Sequence, residues 1–182
     1  MNSQTRRFAF AASLAMLLAL PCAGVQAQQP ARPAPQGQAA PRPAAGADMV
    51  SEATVSRDML KAMYDAAKVP ASLDGGGNLI LNLSQVKVFV LPGKDSVRLM
   101  ASYDFAPRAT WQEKLDLANR INDEYIMVRA LLPEKWPGTL SLDYYVMLGA
   151  GISRATMVAI TRRFAEVVVE AIGATDTDRL IK

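Results

Sequence analysis

From residue 51 onward the apolar positions switch between two periods, and the switches mark the elements. Val55, Met59, Ala62, Met63 and Ala66 recur every three or four residues, which predicts a helix capped by Ser51 and running to about Lys68. Val69-Pro70 ends it, because the residue before a proline is pushed out of helical geometry. The period then drops to two. Leu79, Leu81 and Leu83 alternate with polar residues, Val86, Val88 and Val90 follow, and Val97, Leu99, Ala101 and Tyr103 form a third run. Leu91-Pro92-Gly93-Lys94 carries Pro and Gly where a type II turn takes them. Thr110-Trp111-Gln112-Glu113 has capping-box form and opens a second helix, with Trp111, Leu115, Ala118 and Ile121 as its apolar stripe. Ile126, Val128 and Ala130 predict a strand, as do Leu140, Leu142, Tyr144 and Val146, with Pro133 to Gly138 joining them. A last helix starts at Ser153 and buries Met157, Ile160, Phe164, Val167, Val168 and Ala171; Arg162, Arg163, Glu166 and Glu170 form its wet face, Arg162 pairing Glu166.

The predicted order is α-β-β-β-α-β-β-α. Tight turns between strands argue for an α+β fold, a mostly antiparallel sheet packed with helices on one face. The opposite parity along the strands is informative. Ile80, Phe89, Met100, Met127, Leu131 and Tyr145 share it, too many apolar groups for a fully wet surface. That face is expected to be covered by a dimer partner or a bound segment, with helices on both faces as the competing arrangement. Trp136-Pro137 falls at a hairpin tip, where an exposed Trp anchors a partner or folds back over the domain edge. Phe89, Met127, Trp136 and Tyr145 are therefore the candidate partner-contact residues.

The first 47 residues obey neither period. Arg6-Arg7, an apolar run from Phe8 to Leu20 and Val25-Gln26-Ala27 have the three-part form of an export signal cleaved after Ala27, which predicts a periplasmic or secreted protein. Thirteen residues from Phe8 to Leu20 fall short of the about 20 that a membrane helix needs, so no membrane insertion is expected after cleavage. Pro21 before Cys22 fits a lipidation site badly. Residues 28–47 are almost wholly Gln, Pro, Ala, Gly and Arg and cannot bury enough surface to offset chain entropy, which predicts a disordered spacer. The folded domain is expected over 48–182.

Charge changes the picture once it is divided this way. The whole chain is +3, but Arg6, Arg7, Arg32 and Arg42 precede residue 48 without a single acid. Residues 48–182 hold the other 16 basic residues and all 17 acidic ones, a net charge of −1. That balance carries no nucleic-acid footprint. The chain has no His and its one Cys is Cys22, which removes the common zinc and copper ligands and most nucleophile–base pairs from the domain. No cofactor, metal or catalytic residue is expected.

The motif-like stretches read as turns. Gly149-Ala150-Gly151 lacks the third glycine of a dinucleotide fingerprint, since Arg154 stands there. Gly93-Lys94 lacks phosphate-loop spacing, and Asp74-Gly75-Gly76-Gly77 is a loop. Acidic neighbours such as Asp123-Glu124 make weak candidates for acid–base work. The leading expectation is thus a non-enzymatic binding or regulatory module that engages a protein partner or itself. An envelope-tethered structural protein is the alternative, and a carboxylate-only hydrolase ranks last.

Leu117-Ala118-Asn119-Arg120-Ile121-Asn122, then Tyr125-Ile126-Met127-Val128-Arg129-Ala130, then Gly151-Ile152-Ser153 and Phe164 carry a family pattern. Over roughly residues 52–172 the chain resembles the YbjN family of bacterial sensory transduction regulators. The resemblance implies a fold like that of type III secretion chaperones and a regulatory role, and it brings no catalytic residues.

Overall fold

The computed structural model describes residues 48–182; the expected export signal and spacer lie outside the described residues. The chain runs β1 (Met49–Val50), α1 (Arg57–Ala66), β2 (Ala71–Leu73), β3 (Leu79–Leu83), β4 (Val86–Pro92), β5 (Ser96–Asp104), α2 (Trp111–Glu124), β6 (Arg129–Leu131), β7 (Thr139–Met147), β8 (Ile152–Ser153) and α3 (Arg154–Thr175). The fold is α+β. Six strands form one antiparallel sheet in the order β2-β3-β4-β5-β7-β6, and β1 pairs with β8 in a separate two-stranded ribbon. The expected eight elements are present in the expected order, with three short strands added.

Helix starts follow the caps. Thr110 forms the full capping box with Glu113, and Ser153 accepts from the Thr156 amide. The first helix departs from expectation. Ser51 closes a separate turn, taking the Val55 amide at 2.8 Å, and Ser56 caps α1 through the Met59 amide. Its buried face is Leu60, Met63 and Tyr64, while Ala62 and Ala66 are exposed. In α2 the buried stripe is Leu117, Ala118 and Ile121; Trp111, in the first turn, is exposed. On α3, Arg163 rather than Arg162 meets Glu166, at 3.3 Å, while Arg162 reaches the Ala67 carbonyl.

The alternating strand residues Leu79, Leu81, Val88, Val90, Val97, Leu99, Leu140 and Leu142 are all buried in one cluster with Leu60, Ile121, Phe164 and Val168 from the helices. All three helices thus cover one face. Within that core Tyr64 and Thr161 meet at 2.7 Å. Thr161 has one hydroxyl proton and its Oγ1 gives it to the Met157 carbonyl, so Tyr64 is the donor of the pair. Burial pushes the Tyr64 phenol well above its ordinary range.

One hairpin turn departs from its expected form, and the Asp74–Gly77 loop is as expected. Gly93 does not adopt a positive φ, so the Leu91–Lys94 stretch is not a type II turn; β4 continues through Pro92 and the Gly93 amide donates to the Ser96 carbonyl. Asp74 organises the β2–β3 loop, its Oδ1 accepting from the Gly76 and Asn78 amides and its Oδ2 from the Asn78 side chain. Gly151 needs its glycine. Its φ is +96°, and a Cβ would sit 3.3 Å from Met49 and 3.4 Å from the Val50 carbonyl, where β1 crosses the start of α3.

Candidate functional site

The helix-free face of the sheet is set by the outward parity of the strands, and the observed register orders it in rows. Ile80, Phe89, Met100, Asp143 and Arg129 lie directly opposite one another from β3 to β6. Beside them run Leu91, Arg98 and Tyr145 on one side, and Ser102, Ser141 and Leu131 on the other. Sequence-distant strands make this arrangement: β7 pairs with β5 across an intervening helix and strand.

At the centre sits Asp143, its side chain wholly buried. Arg98 donates to Oδ2 through Nε at 2.9 Å and Nη2 at 2.8 Å. Arg129 donates to both oxygens at 3.1 Å. Both guanidinium carbons lie over the Tyr145 ring, 5.7 Å and 5.6 Å from its centroid, within cation–π range. The hydrogen bond to Asp143, then its charge, raises the Arg129 pKa above its ordinary value. Two arginines share one carboxylate, so the cluster carries one excess positive charge.

Next to the cluster is a cavity of about 320 Å³. Met100, Leu131, Leu132, Pro133 and Trp136 give it apolar walls; Arg98, Ser102, Thr139 and Ser141 supply the polar groups. Ser141 is 3% exposed and its Oγ has no hydrogen-bond partner. The loop that carries Trp136 is held by two turns, Trp136 donating to Pro133 and Thr139 to Trp136. A larger groove, about 500 Å³, lies between α1 and α3, and Asp48, the first described residue, lines it. It shares no residue with the arginine cluster.

The edge of the sheet beside this site is closed by a side chain. Asn122 of α2 accepts from the Ala130 amide at 2.7 Å and donates to the Ala130 carbonyl at 3.1 Å, pairing with β6 as a neighbouring strand would. That blocks the outward backbone groups of a short edge strand.

Of the four candidate residues, three fall on the helix-free face. Phe89 is half-buried between Ile80 and Met100, Tyr145 stacks with the arginines, and Trp136, 64% exposed, walls the cavity. Met127 stands outside the strands. Strand β6 starts only at Arg129, so Met127 lies in the bend before it and packs against the core, where it also lines a small cleft beside Tyr145. Ile126, expected to face inward with Val128 and Ala130, is instead fully exposed in the same bend, because the strand has not yet begun there. Sequence reading passed over Arg98, Arg129, Asp143 and Ser141. Their signal was polar residues at outward positions amid apolar ones, and only the register joins them.

Among the described residues no group of His, Cys, Asp or Glu is arranged to hold a metal ion, and no helix is long and apolar enough to cross a membrane. Comparison with known proteins follows from this geometry. The crystal structure of YbjN from E. coli, described as a putative transcription regulator, is similar at a TM-score of 0.59 and 17% identity, covering 70% of this chain and 96% of that one. The likeness is one of fold. An uncharacterised protein from Methanothermobacter thermautotrophicus matches at TM-score 0.48 and 8% identity over 69% of this chain and 99% of that one. The Yersinia pestis type III secretion chaperone SycH, solved with a fragment of YscM2, matches at 0.42 and 9% over 64% and 97%. No curated protein matches by sequence. The family model described as "Putative bacterial sensory transduction regulator" matches residues 56–175, and the chain belongs to the YbjN family.

Proposed function

We propose that this protein is an exported, non-enzymatic regulatory module that binds a protein partner on the helix-free face of its sheet. The observation that carries the reading is the combination on that face of exposed aromatic and apolar groups, Trp136, Tyr145 and Met147, with a net-positive arginine cluster and a cavity. Aromatic and arginine side chains set in a polar rim are the usual anchors of protein interfaces. The E. coli protein of similar fold is described as "a putative transcription regulator". A domain of net charge −1 lacks the overall positive charge that favours backbone contact with DNA, which favours regulation through protein contact. The N-terminal pattern supports export, with the partner outside the cytoplasm. N-terminal sequencing of the protein from fractionated cells would start at Gln28 if the reading holds; protein beginning at Met1 in the cytoplasm would overturn that part of it.

The binding reading is tested by placing a photo-crosslinking residue at Trp136 or Tyr145, with Glu166 on the exposed face of α3 as control, in the native cell. A discrete protein adduct from the first two positions and none from the third is expected. No adduct, or the same adducts from all three, would refute it.

A further inference from the structure

The cavity beside Trp136 has three properties that narrow its occupant. First, Ser141 lines it with a hydroxyl that is nine-tenths buried and unpartnered. Such groups are uncommon in folded proteins, and each needs an explanation. Its cross-strand neighbour Ser102 lines the same cavity, so two hydroxyls stand side by side. Second, Arg98 borders the cavity and belongs to a cluster with one more cation than anion. Its bonds to Asp143 use Nε and Nη2, and Nη1 has no partner among the described residues. An anion entering here meets an arginine already held in place, which lowers the ordering cost of binding it. Third, the walls are apolar and the volume, about 320 Å³, is at the small end of ligand sites. It suits one residue rather than a long segment.

We propose that this cavity captures the C-terminal residue of a partner chain, an aliphatic side chain lying against Met100, Leu131 and Trp136 with its α-carboxylate on Arg98 and its backbone on Ser102 and Ser141. This rests on the reading of the helix-free face as a protein-binding surface. A chain end is favoured over an internal acidic segment by geometry. On an extended strand adjacent side chains point to opposite faces, so an acid and an aliphatic group from neighbouring residues cannot enter one small cavity together. A terminal residue offers both on a single Cα, and capture of a terminal carboxylate is a recurrent recognition mode.

The test titrates the 15N-labelled protein with N-acetyl-Ala-Leu as the free acid, as its C-terminal amide, and with the internal acidic peptide N-acetyl-Leu-Asp-Leu-amide. Shifts at the Ser102 and Ser141 amides and the Trp136 indole N–H are expected with the free acid, at an affinity at least about tenfold above the other two, the loss that one charge-assisted contact brings. Ser141→Ala should weaken the acid severalfold while raising resistance to urea, because it removes an unsatisfied group; a purely structural hydroxyl would not show that opposition. Arg98→Met should bring acid and amide to equal affinity. Equal binding of acid and amide by the parent protein, or tighter binding of the internal peptide, would overturn the chain-end assignment. No binding of any peptide would overturn the capture itself. Crosslinking at Trp136 decides the underlying protein-binding reading separately, so either can fail alone.

Discussion

The arginine cluster makes an asymmetric stability prediction that can be worked from exposure alone. The Asp143 side chain is fully buried, whereas those of Arg98 and Arg129 are 29% and 57% exposed. Replacing Asp143 by Ala frees two guanidiniums that already touch water and rehydrate. The loss is that of hydrogen bonds to a charged group, about 2–3 kcal/mol. Replacing both arginines by Met does the opposite, leaving a buried carboxylate without a cation. Stranding one partner of a buried pair costs about 3–5 kcal/mol. Arg129→Met alone should cost least, since Arg98 keeps Asp143 paired. The triple variant Arg98→Met, Arg129→Met, Asp143→Leu should recover most of the loss, because an apolar replacement of a whole buried ion cluster is about neutral. Urea unfolding followed by tryptophan fluorescence, with linear extrapolation, measures the series. If Asp143→Ala proves more costly than the double arginine variant, or the triple variant no better than the double, burial of the carboxylate is not what orders these energies.

Three further predictions follow from particular contacts. Thr161→Val leaves the buried Tyr64 hydroxyl without its acceptor and should cost about 1–3 kcal/mol; in a Tyr64→Phe background most of that penalty should vanish, as a double-mutant cycle by urea unfolding would show. Asn122→Ala exposes the Ala130 backbone pair at the sheet edge, and it should both lower stability by about 1–3 kcal/mol and promote self-association detectable by light scattering; an unchanged, soluble variant would contradict the edge-capping role. The Asn78 side-chain bond, then the backbone bonds, hold the Asp74 carboxyl below its ordinary 3.8. A lowered folded value means the loop's stabilisation is complete above that ordinary value and is lost as pH falls through the lower folded one. Exchange protection at the Gly76 and Asn78 amides should therefore fade as pH falls below 3.8, before the sheet opens, and protection that persists unchanged in acid would refute the role.

How much of this was legible in the sequence depends on how local each signal was. Period-two runs such as Val86-Val88-Val90 and capped helix starts such as Thr110–Glu113 are local, and they recover the α+β order and the buried parity of the sheet. Strands of two or three residues, such as Met49–Val50 and Ala71–Leu73, are too short to display a period. Ser51 and Ser56 both look like caps; what separates them is that Ser51 bonds within its own turn. Trp111 fits the apolar stripe by spacing, four residues before Leu115, but in the first turn of α2 it is exposed. The candidate site was half visible. Phe89, Trp136 and Tyr145 follow from parity and a hairpin, whereas the meeting of Arg98, Arg129 and Asp143 depends on β5 pairing with β7, a long-range register that no local pattern encodes.

A helix-free face that receives a foreign chain must not be buried against a second copy of its own. A symmetric dimer through that face would set Arg98 and Arg129 of one copy near the same pair of the other, like charge against like charge. Light scattering of the purified protein across a dilution series tests this most directly. The mass of a single chain at every concentration is the predicted result. A stable dimer that Tyr145→Glu or Trp136→Glu dissociates would contradict the account, because the face would then be buried against itself.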